Sequence, residues 1–304
     1  MSASASAASE QDQERDTRER LDRVAAYDCR ALRLSAFVDS YDQVILDLDG
    51  CVWVGEEASA GAAEAIAALR EASKRVAFVT NNPYDAGEDF VRKLWGLGVR
   101  ASLDDVVTVG GAVQHLLAET RPGRGAFVIG TQAMRDHVSH AGLSVLNGTG
   151  LAPQADLVLV AGTRELTYED LRDAVLALSR GADFLATGRD RTYPMPDGPW
   201  PATGALVAAV EYASERTAQI VGKPEPQLFR TALDRLGPGR TLAVGDRLDA
   251  DIGAAASAGI DAALVLSGGA TRQQAAVASA PRPLVVTETL AELVLGRHAA
   301  LASG

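Results

Sequence analysis

Residues 43–53 of the chain read QVILDLDGCVW, and the prediction of the fold starts from these eleven residues. Aliphatic side chains lead into two aspartates, Asp47 and Asp49, which are spaced i and i+2 and are followed by Gly50. This pattern is typical of a buried strand that breaks into a loop. In a parallel sheet both carboxylates would lie at the carboxyl end of the strand, where ligands of open α/β sheets bind. The alternative is a strand that ends in an ordinary Asp-Gly turn, and this stretch alone does not separate the two.

Three later segments also run from an apolar strand into polar residues. Residues 76–82 read VAFVTNN, residues 220–224 read IVGKP, and residues 241–251 read TLAVGDRLDAD. If these strands are neighbours, one edge of the sheet collects several carboxylates, a hydroxyl, amides and one lysine. Hard oxygen ligands of this kind suit Mg²⁺, and a carboxylate surrounded by hydrogen-bond donors suits attack on phosphorus. The four segments together therefore indicate a magnesium-assisted phosphoryl transfer.

In order, spacing and strand context, the four segments resemble the four motifs of the haloacid dehalogenase superfamily. The resemblance runs from about Tyr41 to about Leu295 and is to the phosphatase branch with a large α/β cap inserted between the second and third motifs. NagD-like and p-nitrophenylphosphatase-like enzymes, including phosphoglycolate and glycerol phosphate phosphatases, belong to that branch. The resemblance implies an α/β fold: a Rossmann-like, doubly wound parallel-sheet core with an inserted α/β cap domain.

The hydrophobic pattern predicts how the chain divides into domains. We expect residues 1–20, which are rich in Ser, Ala and charge, to be a disordered tail, and residues 21–40 to be a helix-like extension. Residues 41–82 and 220–297 are predicted to form the catalytic core. Residues 83–219 contain enough strand and helix candidates for a core of their own, and they are predicted to form the cap.

The resemblance implies a role for each polar residue at the strand ends. Asp47 is the expected nucleophile, which attacks phosphorus to form an aspartyl phosphate. Asp49 is expected to protonate the leaving alkoxide and then to deprotonate the attacking water. Thr80 and the Asn81 amide would hydrogen-bond the transferring phosphoryl group, and Lys223 would neutralise its charge. For Thr80 the alternative is a helix N-cap, and for Lys223 it is a solvated surface lysine.

The expected cofactor is Mg²⁺. Asp246 is the leading side-chain ligand beside Asp47, and in the family's arrangement the backbone carbonyl matching Asp49 also binds the metal. Asp251 is expected either to bind the metal or to hold its waters or the lysine, because Mg²⁺ keeps several waters and needs few protein carboxylates. Asp249, in the same segment, is interpreted as a solvated side chain.

The composition of the chain limits which classes of partner it can bind. With 40 acidic residues against 29 Lys and Arg, the formal net charge of −11 argues against a nucleic-acid or anionic-membrane partner. The expected partner is a small phosphorylated metabolite, and a homodimer is left open. Two cysteines, Cys29 and Cys51, are too few for a disulfide framework and fit a cytoplasmic location. Cys51 has no nearby histidine in the sequence, so a buried loop residue is a better interpretation than a thiol nucleophile.

The substrate is less defined by the sequence than the chemistry. The cap stretch ATGRD at residues 186–190 departs from a family pattern that more often reads Thr-Asn-x-Asp, and Arg189 within it is a candidate contact for the leaving group. Glycerol phosphate or phosphoglycolate is the first expectation, with sugar phosphates, nucleotides and pyridoxal phosphate as alternatives. A phosphoacceptor or binding protein without turnover is the alternative from a different class. No glycine fingerprint or Walker-type loop supports a nucleotide-binding oxidoreductase or NTPase.

Overall fold

The computed structural model of the chain describes residues 33–195 and 198–296. The predicted tail at residues 1–20 and most of the predicted extension at residues 21–40 therefore lie outside the described residues, as does Cys29. Within the described ranges, no helix is both long enough and apolar enough to cross a membrane.

A six-stranded parallel sheet contains the strand of residues 43–47 near its centre. In spatial order its strands are β15 (Val285–Thr287), β14 (Asp261–Val265), β13 (Thr241–Gly245), β1 (Gln43–Asp47), β4 (Arg75–Thr80) and β5 (Val106–Thr108). All five residues of β1 are buried, as expected for a parallel sheet that is covered by helices on both faces. Val44 and Leu46 belong to one buried hydrophobic cluster and Ile45 belongs to another, so the two faces of β1 pack on separate layers.

A second parallel sheet lies in the middle of the sequence. Its five strands are, in spatial order, β12 (Gln219–Ile220), β9 (Asp183–Ala186), β8 (Leu157–Gly162), β6 (Gly125–Gly130) and β7 (Ser144–Val145). Two antiparallel hairpins complete the strands: β2 (Trp53–Val54) with β3 (Glu57–Ala58), and β10 (Thr192–Met195) with β11 (Gly198–Pro201). A parallel-sheet core with a separate sheet region confirms the predicted fold class.

The predicted boundary at Pro83 differs from the boundary between the sheets. Residues 83–108, which we assigned to the cap, contribute β5 to the large sheet, where Val106 pairs with Phe78. The short run of β5 is preceded by the acidic turn Leu103–Asp105, so the sequence offers little apolar pattern there. The division between the sheets on this side therefore falls near residue 108, whereas β12 ends at Ile220, where the core was predicted to resume.

Helices connect the strands of both sheets. The α-helices of the described chain are Ala36–Asp39, Ala62–Glu71, Gly87–Gly96, Val109–Thr120, Gln132–His140, Tyr168–Ser179, Thr203–Ser214, Gln227–Leu236, Gly253–Ala258, Arg272–Val277 and Leu290–Leu295. Short 3₁₀-helices lie at Leu103–Asp105 and Ala152–Gln154, and a π-helical turn lies at Leu248–Ile252. Local capping defines several of the starts. Thr167, for example, accepts a hydrogen bond from Asp170 N at 3.1 Å and donates its own N–H to Asp170 Oδ2 at 2.9 Å.

The two sheets share one buried hydrophobic cluster. Ile45 and Val79 of the large sheet belong to the same cluster as Val128 and Leu159 of the small sheet. Helix Val109–Thr120, which follows β5 directly, contributes Val113 and Leu117 to that cluster. Burial of apolar surface therefore joins the two layers as well as filling each of them.

Candidate active site

The strand ends that carry the polar residues meet at one edge of the large sheet. β1 lies between β13 and β4, with Leu46 opposite Val244 and Asp47 opposite Val79. Because parallel strands end at the same edge, the residues that follow β1, β4 and β13 converge there. The loop after β12 delivers Lys223 to the same place.

Lys223 is the centre of this arrangement. Its Nζ donates to Asp47 Oδ1 and to Asp251 Oδ1, both at 2.6 Å. The side chains of Lys223, Asp47 and Asp251 are only 3%, 7% and 2% exposed. A buried ammonium of this kind is stable only when it is paired, so the alternative of a solvated surface lysine is excluded.

Asn81 holds the backbone of Lys223. Its Oδ1 accepts the N–H of Lys223 at 2.8 Å, and its Nδ2 donates to the Lys223 carbonyl at 3.0 Å. A side chain on Gly222 would not fit, since a Cβ there would lie 2.2 Å from the Thr187 carbonyl and 2.5 Å from Asn81 Oδ1. Asn81 therefore lines the site, but its side-chain amide is used to position the lysine, a link that the sequence did not suggest.

Three buried carboxylates could hold a metal ion. Asp47, Asp246 and Asp251 each offer one oxygen, and these oxygens lie within 4.8 Å of one another. Asp246 Oδ1 is buried and has no hydrogen-bond partner in residues 33–195 and 198–296, which is the state expected of an oxygen that binds a cation. Carboxylate oxygens are the ligands that Mg²⁺ prefers, so the residues fit the predicted cofactor.

Asp246 and Asp251 use their oxygens differently. Asp251 Oδ1 accepts from Lys223, and its Oδ2 accepts the N–H groups of Asp246 at 3.1 Å and Arg247 at 3.0 Å. Asp246 Oδ2 accepts from Gly269, which leaves Oδ1 without a protein partner. Asp246 is thus the better direct ligand, whereas Asp251 fixes the lysine and the loop that carries Asp246.

Gly50 allows the loop after β1 to approach Asp246. It has a φ of +85°, a left-handed conformation that favours glycine, and a Cβ there would lie 2.2 Å from Asp246 Oδ2. The Asp-Gly pair is therefore a turn and part of the acidic site at once, which resolves the two alternatives for this stretch.

The cluster carries more negative than positive charge, because one ammonium cannot neutralise three carboxylates. Burial raises the pKa of Asp47 well above its ordinary value, and Asp251 adds to this while Lys223 opposes it. Burial and then Asp251 raise the pKa of Asp246 to about 7. Burial alone would lower the pKa of Lys223, but Asp251 and Asp47 outweigh it and the pKa is raised. A divalent cation would neutralise this excess of negative charge.

Asp49 lies outside the buried cluster. Its carboxylate is exposed toward the cavity, with Oδ1 accepting from Trp53 Nε1 at 3.0 Å and Oδ2 accepting from Thr80 Oγ1 at 3.3 Å. Thr80 also accepts the N–H of Asn82 at 2.9 Å. The next helix begins at Gly87, so Thr80 is not a helix N-cap, and that alternative interpretation of Thr80 is wrong.

Cys51 and Asp249 take no part in the cluster. The Cys51 thiol is buried, and its pKa is raised first by burial and then by Asp47. A thiolate is therefore disfavoured at Cys51, the one cysteine among the described residues. Asp249 is exposed, and its nearest charged partner is Arg247 at 3.4 Å, in agreement with a solvated side chain.

A cavity of about 730 Å³ opens between the acidic cluster and the end of the small sheet. Its wall on the side of the large sheet includes Asp47, Asp49, Asn81, Lys223 and Asp246. Its wall on the side of the small sheet comes from the residues that follow β6, β8 and β9, among them Thr131, Gln132, Arg135, Thr163, Arg164, Glu165 and Asp190. The carboxyl ends of both parallel sheets thus face the same space.

Arg189 does not line this cavity. Its guanidinium forms two hydrogen bonds with the Glu211 carboxylate, at 2.9 and 2.6 Å, and a third with the Ala218 carbonyl at 3.3 Å. The neighbouring Asp190 lines the cavity instead and pairs with Arg247 at 3.1 Å. The structure does not support the expected substrate contact of Arg189, because its guanidinium is bonded to Glu211 and Ala218 and is not part of the cavity lining.

Sequence reasoning also missed Arg135 and Arg164. They lie in the part of the chain without recognised motifs, but a signal was available. Each comes shortly after a strand of the small sheet that ends at a glycine and is followed by a threonine, at residues 130–131 and 162–163. The rule that selected Asp47, that ligands bind at the carboxyl ends of parallel strands, applies to the second sheet as well.

Comparison with known proteins gives matches over most of the chain. A family model described as haloacid dehalogenase-like hydrolase matches residues 44–144, and a second, HAD-hydrolase-like model matches residues 220–293. D-glycerol 3-phosphate phosphatase of Mycobacterium tuberculosis is 34% identical over 77% of this chain, which spans 65% of the length of that enzyme. Human chronophin is also 34% identical, over 88% of this chain and 98% of its own length.

Solved structures agree with these matches. Glycerol phosphate phosphatase from M. tuberculosis in complex with magnesium has a TM-score of 0.77 at 33% identity, covering 86% of this chain and 79% of its own. The same enzyme has been solved with calcium, and its TM-score is 0.76. NagD from E. coli K-12 has a TM-score of 0.73 at 29% identity, covering 84% of this chain and 99% of its own. The magnesium complex and the acidic cluster agree in confirming the predicted cofactor, Mg²⁺.

Proposed function

Because the chain belongs to the haloacid dehalogenase-like hydrolase family and is a phosphoric monoester hydrolase, we propose a reaction mechanism and a substrate for it. It hydrolyses a small phosphorylated metabolite with Mg²⁺, through an aspartyl phosphate on Asp47. The best candidates for the substrate are glycerol phosphate and phosphoglycolate.

One observation carries the proposal: Lys223 joins Asp47 and Asp251 in a buried cluster beside the unpartnered Oδ1 of Asp246, and the cluster opens onto a cavity. Lys223 occupies Oδ1 of Asp47 and leaves Oδ2 for attack on phosphorus. The ammonium also favours the ionised form of Asp47, because it opposes the effect of burial, although the pKa of this carboxyl stays above its ordinary value. Such an arrangement has no structural purpose that a hydrophobic cluster would not serve equally well.

In the first step an oxygen of Asp47 attacks phosphorus, an O–P bond forms, and the bond from phosphorus to the alcohol oxygen breaks. Asp49 gives a proton to the departing alcohol oxygen. In the second step a water attacks the aspartyl phosphate, Asp49 takes the proton of that water, and inorganic phosphate leaves with Asp47 restored. The hydrogen bonds from Trp53 and Thr80 hold Asp49 for both transfers.

Asp47 and Asp246 would hold the magnesium ion, with the backbone carbonyl of Asp49 as the family implies. When bound, Mg²⁺ would supply positive charge next to the phosphoryl oxygens. Asp251 acts on this site indirectly, because its hydrogen bonds fix Lys223 and the N–H groups of the loop that carries Asp246.

Release of phosphate from p-nitrophenyl phosphate, with and without Mg²⁺, tests the activity. A panel of glycerol phosphate, phosphoglycolate, sugar phosphates, nucleoside monophosphates and pyridoxal phosphate then ranks the substrates by kcat/KM. We expect metal-dependent turnover that Asp47→Asn abolishes, with a small two- or three-carbon phosphate ranked first. If the protein binds one of these esters but hydrolyses none of them, a phosphoacceptor or a binding protein would be favoured. If Asp47→Asn does not affect turnover, the mechanism through an aspartyl phosphate on Asp47 would be wrong.

A further inference from the structure

Two guanidinium groups on the small-sheet side of the cavity have no anionic partner. Arg135 lies on helix Gln132–His140 and Arg164 lies in the loop after β8, and both line the cavity. Neither forms an ion pair with any carboxylate among the residues that the structure describes. Other arginines near this cavity are paired, Arg247 with Asp190 at 3.1 Å and Arg189 with Glu211 at 2.6 Å.

Aromatic rings hold Arg164. Its guanidinium carbon lies 5.6 Å from the centre of the Tyr84 ring and 5.3 Å from that of the Trp200 ring. Tyr193 lies between these two rings in turn, with centre-to-centre distances of 6.2 Å to Tyr84 and 6.3 Å to Trp200. Cation–π contacts use the face of a guanidinium and leave its N–H groups, which lie in its plane, free to donate. Arg164 is thus oriented without using up the donors that would bind an anion.

Arg135 carries a buried donor that nothing satisfies. Its Nε is shielded from solvent and has no hydrogen-bond partner among the described residues. A buried N–H without an acceptor is costly, and such groups are rare unless a ligand, water or ion completes them. A solvated arginine would not show this, because water would reach its Nε.

The acidic residues of the cavity do not supply the missing partner. Asp47 and Asp246 belong to the cluster around Lys223, and Asp190 is paired with Arg247. Glu165 follows Arg164 on the same wall, and both are exposed, but Glu165 forms no ion pair with either guanidinium. The same holds for Asp49, Glu56 and Asp85, which also line the cavity. Two guanidiniums against one exposed carboxylate leave this wall of the cavity positive.

We propose that Arg135 and Arg164 bind a second anionic group of the substrate, so that the preferred substrates are small phosphate esters whose alcohol carries a carboxylate or a further phosphate. The proposal rests on the phosphatase function proposed above and narrows its substrate class. It favours the acid, phosphoglycolate, over the neutral glycerol phosphate. The transferring phosphoryl group lies at Asp47, and the second anion lies at the opposite wall, where it also escapes the excess negative charge of the carboxylates.

Matched substrate pairs test this, because they differ only in the group that the arginines would bind. Phosphoglycolate is compared with hydroxyethyl phosphate, which replaces its carboxylate by a hydroxymethyl group, and ethanediol bisphosphate distinguishes a second phosphate from a carboxylate. We expect wild-type kcat/KM to be at least about tenfold higher for one of the two anionic esters than for hydroxyethyl phosphate, as charge-assisted hydrogen bonds predict.

The variants Arg164→Gln and Arg135→Gln should each reduce that ratio by about tenfold, mainly through KM of the anionic ester, while hydroxyethyl phosphate and p-nitrophenyl phosphate are turned over as before. Arg135→Lys, which keeps the charge, should restore part of the preference. Arg189→Gln is the matched control, since it removes a guanidinium outside the cavity and should leave the ratio unchanged.

Three outcomes would overturn the inference. One is a wild-type preference for hydroxyethyl phosphate, and another is an equal loss on anionic and neutral esters in both arginine variants, which would assign the residues to structure. The third is a ratio that none of the variants changes. If p-nitrophenyl phosphate is hydrolysed in these cases, the phosphatase function stands and only the substrate class fails, whereas hydrolysis of no ester at all would remove both.

Discussion

The chemical role proposed for Asp47 has a cost to the stability of the folded protein. Its pKa is raised above the ordinary value, so near neutral pH the ionised form is less favourable in the folded than in the unfolded chain when no metal is bound. Asp47→Asn should therefore reduce turnover by roughly a thousandfold or more but leave the protein at least as resistant to thermal unfolding in chelator. Phosphate release and a thermal melt of the same sample measure the two effects. A variant that loses activity because it unfolds would contradict this account.

Substitution of Lys223, unlike that of Asp47, should destabilise the folded protein. Removing one partner of a buried ion pair leaves uncompensated charge, so Lys223→Met should lower the free energy of unfolding by about 3–5 kcal/mol in chelator. Without the ammonium, the Asp47 carboxyl, whose pKa is already raised, would bind a proton still more readily in the folded state than in the unfolded state. The loss should therefore shrink as the pH falls from 8 toward 5, by about 1.4 kcal/mol for each unit of pH over which one more proton is bound on folding.

Urea denaturation across that pH range measures the effect. The double variant Lys223→Met/Asp47→Asn is the control, because it removes one of the two carboxylates that the lysine neutralises and should recover part of the stability. A loss of the same size at every pH would mean that packing around the lysine stem, rather than its charge, stabilises the fold.

At the scale of the elements, the loop between β9 and the β10–β11 hairpin connects the two walls of the cavity. Arg247, which follows Asp246, pairs with Asp190 at 3.1 Å and donates to the Thr192 carbonyl at 3.5 Å. Asp190→Asn should weaken this contact and reduce kcat/KM for a metabolite phosphate by about fivefold, the equivalent of roughly 1 kcal/mol for a partly exposed ion pair. p-Nitrophenyl phosphate, whose leaving group needs little help, should be affected less.

The neighbouring variant Arg189→Ala provides the comparison for that measurement. Its guanidinium pairs with Glu211 outside the cavity, so both substrates should be turned over as by the wild type. If instead Arg189→Ala selectively impaired the metabolite and Asp190→Asn did not, the loop would present the opposite face to the substrate in solution.

The strands that the sequence predicted are those with continuous apolar runs. The runs at residues 44–46, 76–79, 157–160 and 241–244 all lie within strands of the parallel sheets, because burial on both faces demands uninterrupted aliphatic residues. The sequence analysis did not predict β5 or the β10–β11 hairpin, for two different reasons. β5 has only three residues, and the hairpin reads TYPMPDGPWP, in which the prolines argue against a strand unless a two-stranded edge pairing accommodates them.

The same contrast applies to the site. Asp47, Asp246 and Lys223 follow directly from the strand-end pattern, since their chemistry and their position in the sheet point to one edge. The amide of Asn81 holding Lys223, and the unpaired state of Arg135, depend on contacts between distant segments that no local pattern encodes. Position could be predicted from the sequence, whereas the partner of each polar group could not.

At the scale of the whole molecule, the acidic site exists only in the folded chain. Asp47 comes from β1, and Asp246 and Asp251 follow β13, which is distant in the sequence and adjacent in the sheet. The backbone that joins them is buried within a hydrophobic cluster shared by both sheets. An ion bound by these carboxylates should therefore stabilise the whole fold, because the unfolded chain offers no comparable site.

Magnesium should accordingly raise the unfolding temperature as well as support turnover. At a free Mg²⁺ concentration of about 100 times Kd, binding to the folded state alone would stabilise it by about 2.7 kcal/mol. For a chain of this size, that corresponds to an increase of roughly 4–5 °C over the protein in chelator. Asp246→Asn should abolish most of this shift.

Ca²⁺, which the mycobacterial relative also binds, should raise the unfolding temperature but support turnover poorly, because it is larger and takes about 6–8 oxygen ligands. Thermal melts and phosphate release, measured in chelator, Mg²⁺ and Ca²⁺, separate the two effects. Full activity in excess chelator, or a shift that Asp246→Asn leaves intact, would mean that these carboxylates are not the metal site.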